Sequence, residues 1–477
     1  MTLTPLCRAL AVCVCLLLAL PALPAWGATE EPATVQTQAD TAAEEPAPSS
    51  LSVGEALGLA RALVDSGRFE DALTILYALV EQYPDHPRRT DMLFLLGLAA
   101  TQASLAPGVS EERREILLDL AVAAFRDILN RDPSLVRVRL ELARAFFHQG
   151  EDDLAREHFE WVLAGDVPPP VVANVRNFLT LIRARRRWSY NAGLALLPDS
   201  NLGGTSGERI IYIYGLPFVR DEDDLVTSGL GLSVWGGAEY QVPLGPQTRL
   251  RAGANASRRE YSQSRFDETY ASVHLGPRVL LDRDTEASVL ATASQRWAGT
   301  VKDHHALGTR LEVRHRFNPH LTLSGGASWQ GRRYRTQTSL DGPVADLSLG
   351  AAWIITPTLR LDLTTGYGRE RPASTRARNA SKRIGAGVSV ILPEGFTLGG
   401  GAEYRRTDYG SGWFPHVPDN GARVDRTRSL RASLHNRGIT VLGFSPEVSL
   451  VYEKRDTNAQ LHDFERTRGE LRFVRQF

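Results

Sequence analysis

Residues 187–477 repeat an amphipathic β-strand pattern, and this repetition constrains the fold more than any other feature of the chain. In Phe396–Arg405, apolar Phe396, Leu398, Ala402 and Tyr404 alternate with polar Thr397, Glu403 and Arg405. Because successive strand side chains point to opposite faces, such a segment has one apolar face and one polar face. The same alternation recurs in residues 307–317, 321–330, 359–367 and 470–477.

Alternation alone also fits a soluble β-sandwich. The length of the segments and the composition of their polar face distinguish a sandwich from a membrane barrel. The segments run for roughly ten to fifteen residues, whereas sandwich strands usually have about five or six. Their polar positions are rich in arginine and glutamate rather than lysine. An apolar outside and a wet interior would produce this arrangement, which therefore favours a transmembrane β-barrel.

Fourteen strands are predicted, an even number as expected for a bacterial single-chain barrel. Short turns at 282–284, 318–320, 356–357 and 393–395 alternate with longer polar loops, so both ends of the barrel domain should face the periplasm. The predicted strands are 188–197, 226–240, 249–261, 268–282, 286–297, 305–317, 320–334, 344–355, 358–370, 380–392, 395–409, 424–437, 445–456 and 463–477.

The amino terminus has the pattern of a secretory signal peptide, residues 1–28. Arg8 precedes an apolar run, and Ala25-Trp26-Gly27 supplies a small-residue cleavage site. All three cysteines lie in the first fifteen residues, so the mature chain would contain none. Lipidation is a weak alternative, because valines precede two of these cysteines. Residues 29–50, rich in Ala, Thr, Glu, Pro and Ser, are predicted to be a disordered linker.

Residues 51–186 change to a helical period and resemble about three tetratricopeptide repeats. Small residues recur where paired helices would cross, aromatic residues recur where neighbouring pairs would meet, and prolines close the units. These positions are Ala60, Gly67, Ala72, Leu76 and Pro84, then Gly97, Ala121, Phe125 and Pro133, then Ala143, Phe146, Gly150, Ala155 and Phe159. Such repeats present a concave groove for extended peptides or protein surfaces.

Charge divides the chain, with 16 Lys/Arg against 25 Asp/Glu in residues 29–186 and 38 against 30 in residues 187–477. The excess of positive charge in residues 187–477 would be spread around a barrel, and such a distribution does not indicate nucleic-acid binding. We find no catalytic constellation, cofactor loop or metal-ligand spacing, so we expect neither an enzyme nor a cofactor. His304-His305 is interpreted as a surface loop pair, and the acidic run 221–224 as a solvated loop, with calcium binding as the alternative.

Two groups of barrel residues are candidate functional residues. The final strand would carry the signal for the barrel-insertion machinery through outward Leu471, Phe473 and Phe477. Five arginines fall on inward faces, where they would meet water or inward acids such as Glu312, Glu403 and Glu470. They either brace the lumen or guide an acidic chain segment through it. These arginines are Arg251, Arg259, Arg310, Arg332 and Arg405.

Four local motifs resemble those of the surface lipoprotein assembly modulators, the Slam family. They are Pro198-Asp199-Ser200-Asn201, Gly215-Leu216-Pro217-Phe218, Arg258–Ser262 and Tyr452–Asn458. The resemblance covers roughly residues 51–477. It implies an outer-membrane translocon that moves a lipoprotein, or a soluble haem- or metal-capturing protein, from the periplasm to the cell surface.

The resemblance also implies the partners: a protein cargo engaged by the periplasmic repeats, periplasmic chaperones, the insertion machinery and outer-membrane lipid. We expect a monomer in a Gram-negative outer membrane. A polysaccharide exporter also joins such repeats to a barrel but usually has many more of them. A simple porin would have no need of the helical domain.

Overall fold

The structure is a computed structural model that describes residues 51–185, 187–213, 216–221, 225–410, 421–436, 439 and 444–475. The expected signal peptide and linker lie outside the described residues. Within those residues, seven α-helices precede a closed, antiparallel fourteen-stranded barrel, so the predicted fold class is confirmed. Among the described segments, no helix is both long and apolar enough to span a bilayer.

The helical domain consists of three helical hairpins and a seventh helix that leads into the barrel. The helices are α1 (Val53–Asp65), α2 (Phe69–Gln82), α3 (Arg89–Ser104), α4 (Glu111–Arg131), α5 (Val136–Gln149), α6 (Asp152–Leu163) and α7 (Pro169–Arg185). A capping box starts α1: Glu55 N donates to Ser52 Oγ over 3.3 Å, and Ser52 N donates to the Glu55 carboxylate over 2.9 Å. The seventh helix begins at Pro169, because proline is well suited to the first helical turn.

Small residues allow the hairpins to pack closely, as the repeat pattern predicted. Ala60, Ala72, Ala121, Ala143 and Ala155 are fully buried. At the crossing of α3 and α4, a Cβ added to Gly97 would lie 2.7 Å from ring carbons of Phe125. Phe125 and Phe159 are also fully buried and fill the space between neighbouring helices.

The barrel strands pair with their sequence neighbours, and the first strand pairs with the last. They are β1 (Trp188–Asp199), β4 (Gly229–Pro243), β5 (Thr248–Tyr261), β6 (Glu268–Leu280), β7 (Thr285–Ala298), β8 (Val301–Arg316), β9 (Leu321–Tyr334), β10 (Gly342–Thr356), β11 (Leu359–Glu370), β12 (Asn379–Ile391), β13 (Phe396–Tyr409), β14 (Val424–Asn436), β15 (Phe444–Thr457) and β16 (Phe464–Arg475). Their apolar faces form the outside, where Leu307 is 64% exposed, Leu349 56% and Leu398 48%. A bilayer would cover such a belt.

Two segments differ from the strand prediction. Residues 198–225, predicted as a loop, contain a small hairpin of β2 (Ile210–Ile213) and β3 (Leu216–Val219). The predicted loop 298–304 is a tight turn instead, because Gly299 adopts φ 58° and β8 already begins at Val301. His304 and His305 therefore lie in a strand, on opposite faces, and not in a loop as predicted.

The two ends of the barrel are built differently. At one end the connections are short, and the turn between β12 and β13 places Glu394 and Gly395 at positive φ. At the other end, 3₁₀ turns at 264–266, 338–340 and 460–462 each precede an aspartate. That aspartate accepts a hydrogen bond from the backbone N–H at the end of the preceding strand: Tyr261 to Asp267, Tyr334 to Asp341 and Thr457 to Asp463, at 2.9, 2.6 and 2.6 Å.

The helical domain lies against the short-turn end. Glu394 N donates to Asn130 O at the end of α4, and Arg183 Nη1 in α7 donates to Arg283 O over 3.1 Å. Arg316 at the end of β8 pairs with Glu160 of α6 over 2.8 Å. The helices thus cover part of the mouth of the barrel.

Candidate functional site

The inner wall of the barrel carries a network of ionic side chains around Arg251 on β5. This guanidinium donates to Glu239 on β4 over 2.8 Å and to Glu312 on β8 over 2.9 Å. Its Nη1 also donates to Ser288 on β7 over 3.0 Å. His274 Nε2 lies 2.9 Å from the same Glu239 carboxylate. One arginine thus links three strands beyond its own, which suits bracing of the wall.

The other four predicted arginines also lie on the inner face, and each has a carboxylate nearby. The pairs are Arg259–Glu268 at 3.3 Å, Arg310–Glu312 at 3.7 Å, Arg332–Glu370 at 3.6 Å and Arg405–Glu403 at 2.9 Å. The third inward acid of the prediction, Glu470, pairs with Arg472 at 3.0 Å. Paired in this way, these arginines have part of their charge offset by neighbouring carboxylates, and Glu312 is shared by Arg251 and Arg310.

An inner cavity of about 630 Å³ lies beside this network. Small side chains from β9 to β11, including Ser324, Gly326, Ser348 and Gly350, line it opposite Arg251 and Glu312. Glycine and serine leave the lumen open here. Trp235 also points inward, and the Arg472 guanidinium lies 5.3 Å from the centre of its ring.

The Pro198–Asn201 motif forms a clasp at the junction of β1 and β16. We use the name clasp for Asp199, Ser200, Asn201 and their partners on β16. Arg466 Nε donates to both Asp199 carboxylate oxygens over 2.9 Å, and Ser200 Oγ accepts from Thr467 N over 2.8 Å. The fully buried Asn201 donates from Nδ2 to Glu465 O over 3.1 Å.

The clasp supplements an interrupted backbone ladder. The pairing of β1 with β16 runs from Gly193 to Leu196 and resumes at Asp199, whereas β1 pairs with β4 along its whole length. Pro198 lies in the gap, where it has no N–H to donate. A Cβ on the facing Gly469 would come within 2.8 Å of the Pro198 ring. Side chains therefore fasten this part of the junction where the backbone cannot.

The second motif lies in the small hairpin. Leu216, Pro217 and Phe218 belong to β3, and Leu216 and Phe218 are 62% and 46% exposed. Gly215 lies outside the described residues, as do positions 222–224 of the acidic run. In the last strand, Leu471 faces Leu196 and Phe473 faces Leu194, both on the outside, while Phe477 lies outside the described residues.

Sequence reasoning did not find a groove at the mouth of the barrel. A cavity of about 740 Å³ is bounded by α4, α5 and α6 on one side and by the β12–β13 rim on the other. Glu111, Glu115 and Asp119 line it at helical spacing along α4, and Ile391 and Leu392 line it from the rim. The spacing of these acids was visible in the sequence, but their position opposite the barrel was not.

One titratable group of this groove is perturbed. Burial, followed by the positive charges of Arg185 and Arg144, lowers the pKa of His148 on α5 below its usual value of 6.5. The imidazole is therefore held neutral near pH 7. Among the described residues, no group of three or more His, Cys, Asp or Glu side chains could hold a metal ion.

Comparison with known proteins agrees with both domains. The family model "Surface lipoprotein assembly modifier" matches residues 188–477, and a tetratricopeptide-repeat model matches 57–107 and 117–166. The chain is 22% identical over 370 residues to surface lipoprotein assembly modifier 1 of Neisseria meningitidis, covering 75% of this chain and 72% of the relative. It is 22% identical over 435 residues to surface lipoprotein assembly modifier 2 of Haemophilus influenzae, covering 85% and 81%.

Solved barrels are more distant. The outer membrane channel DcaP of Acinetobacter baumannii matches with a TM-score of 0.37 and 8% identity, covering 60% of this chain and 96% of that one.

Proposed function

The chain belongs to the surface lipoprotein assembly modifier family, and from this premise we propose that it is an outer-membrane translocon for a dedicated protein substrate. The substrate is a surface lipoprotein or a secreted haem- or metal-binding protein. The barrel provides the path to the cell surface, and the helical domain engages the cargo first. The observation that carries this proposal is the groove that the helices and the barrel rim form together at the mouth.

The groove suits a polypeptide in size and chemistry. Its volume of about 740 Å³ is large enough for several side chains of an extended segment. Its walls combine apolar Leu118 and Val122 with the carboxylates of Glu115 and Asp119. A segment held there lies beside the barrel rim, so it can pass from the helices to the lumen without crossing free solvent.

The two ends of the barrel support the proposed orientation. Short connections face the periplasm in bacterial barrels, and the helical domain lies at the short-turn end. The helices therefore work in the periplasm, where cargo and chaperones arrive. The apolar belt contacts outer-membrane lipid, β16 serves the insertion machinery, and the protein acts as a monomer with no catalytic step.

Transport into liposomes tests the proposal. The full chain is reconstituted with its helical domain outside, and the protein encoded beside it in the genome is supplied as cargo. Export is scored as cargo that becomes protected from protease. Deleting residues 51–180 should slow export while the barrel keeps its heat-modifiable mobility on gels.

A matched pair of charge reversals sharpens this test. Glu115→Lys alters the groove, whereas Glu112→Lys alters the same helix at an exposed position that does not line it. We expect Glu115→Lys to slow export and Glu112→Lys to leave it unchanged. Full export by the barrel without its helices would refute delivery of cargo by the repeats.

A further inference from the structure

Seven arginines converge on a second cavity at the mouth of the barrel, distinct from the groove. This cavity of about 70 Å³ lies where α6 and α7 meet the ends of β5 to β8, and we call it the arginine vestibule. The helical domain contributes Arg156 and Arg183 to it. The barrel contributes Arg249, Arg278, Arg283, Arg314 and Arg316.

Carboxylates offset only part of this charge. The described lining contains three acids: Glu160, Asp284 and Glu286. Glu160 is shared between Arg316 at 2.8 Å and Arg314 at 3.7 Å, and Glu286 pairs with Arg278.

Arg156 also reaches Asp153, which lies outside the cavity, at 3.0 Å. With that carboxylate added, seven arginines face four acids among the described residues. Burial lowers the pKa of Arg183, and the neighbouring Arg316 and Arg278 add to this effect although Glu286 opposes it.

The vestibule contrasts with the inner wall. Each of the five wall arginines predicted from the sequence has a carboxylate within 3.7 Å, as described above. The vestibule therefore has more arginines for each lining carboxylate than the wall around Arg251 has. Anionic groups would be attracted there before they enter the barrel.

We propose that the arginine vestibule binds acidic side chains of an extended polypeptide segment as it passes from the helical domain into the lumen. This inference rests on the proposed function for the identity of the polypeptide. The guanidinium fork matches a carboxylate with two parallel hydrogen bonds. A cavity of about 70 Å³ can admit a small polar group such as a carboxylate.

The position of the vestibule favours a peptide over a lipid headgroup. Arg249, Arg278, Arg314 and Arg316 alternate with outward residues of their strands and share the inner face with Arg251 and Arg310. They are thus directed away from the bilayer. Because the charges come from both domains, a bound carboxylate would also relieve repulsion between them and tighten their contact.

Peptide binding tests the inference without any transport step. A fluorescein-labelled, glycine- and serine-based peptide with four glutamates is titrated into the full chain in a non-ionic detergent, and fluorescence anisotropy reports binding. A peptide with glutamine in place of glutamate is the ligand control. We expect the acidic peptide to bind, the glutamine peptide to bind at least about tenfold more weakly, and 0.5 M salt to weaken the acidic peptide strongly.

Two protein variants locate the site. Arg249→Gln combined with Arg283→Gln should weaken binding at least about tenfold. Arg265→Gln, in an outer 3₁₀ turn, should leave it unchanged. Heat-modifiable gel mobility verifies that both variants are folded.

Equal binding by the wild type and the double variant would overturn the inference. So would binding of labelled anionic phospholipid micelles to the wild type but not to the double variant, with no binding of the acidic peptide, which would assign the vestibule to lipid. Export without peptide binding would refute only the claim that the vestibule binds acidic segments. Peptide binding without export would refute only the proposed translocon function.

Discussion

The clasp makes a quantitative prediction about how the barrel closes. The Asp199 side chain is fully buried and that of Arg466 is 20% exposed. Asp199→Ala leaves the Arg466 guanidinium without its carboxylate in a largely dry position, which costs about 3–5 kcal/mol. It also removes the acceptor for Asn201 N, a hydrogen bond of 2.9 Å that is worth about 1 kcal/mol.

Two further variants distinguish the cost of leaving a buried charge unpaired from the cost of losing an exposed ion pair. In Asp199→Leu/Arg466→Leu both charges are absent, so the loss should shrink to about 1–2 kcal/mol, mainly the Asn201 bond. Asp408→Ala breaks the Arg406–Asp408 pair, whose side chains are 47% and 41% exposed, and should cost less than about 1 kcal/mol.

The assay is urea unfolding of the barrel in lipid vesicles, followed by tryptophan fluorescence and checked by gel mobility. The reasoning is refuted if Asp199→Ala costs no more than Asp408→Ala. It is also refuted if the double variant is as unstable as the sum of its single substitutions.

Four further predictions address the rest of the chain. Arginine in place of Leu361 or Leu398 should cost about 2–4 kcal/mol, and arginine in place of Thr364 should be tolerated; equal losses would mean that the assigned faces are wrong. Gly97→Ala should destabilise the helical domain by about 1–3 kcal/mol, because the new Cβ meets the Phe125 ring, and thermal melting followed at 222 nm measures this. The pKa of His148 is lower in the folded chain than in the unfolded chain, so the unfolded chain takes up the proton first as pH falls through about 6.5. The helices should therefore lose stability toward pH 5. His148→Gln should reduce that loss in the same melting assay. Deleting Phe477 should lower the amount of heat-modifiable barrel in the outer membrane, and unchanged levels would argue against a signal in the last strand.

The sequence was informative where local periodicity determines structure. Alternation in segments such as Phe396–Arg405 predicted the barrel, and the small residues around Gly97 and Ala121 predicted the helical crossings. Contacts between distant residues were not accessible in this way. Asp199 and Arg466 lie 267 residues apart, and no local pattern indicates that β1 and β16 meet through them.

The two cavities at the mouth could not be predicted either, because residues distant in the sequence form them. Arg183 and Arg283 approach each other only because α7 folds back onto the β6–β7 turn. The β2–β3 hairpin was missed because its strands have four residues each, too few to show a period. The five arginines were assigned to the inner face from the alternation of side chains along each strand. Their partners depend on the register between strands, which this alternation does not give.

The aspartate-closed 3₁₀ turns have a consequence for how this protein can vary over evolutionary time. Each aspartate fixes its turn to the end of the preceding strand through one backbone hydrogen bond, so the strand ends stay at the same spacing whatever lies between them. Lengthening a connection that is already closed costs only about 0.6 kcal/mol for each doubling. Segments 262–266, 335–340 and 458–462 can therefore accept insertions and sequence drift while the barrel stays intact. These are accordingly the positions at which a foreign peptide could be displayed and at which natural variants should differ most in length.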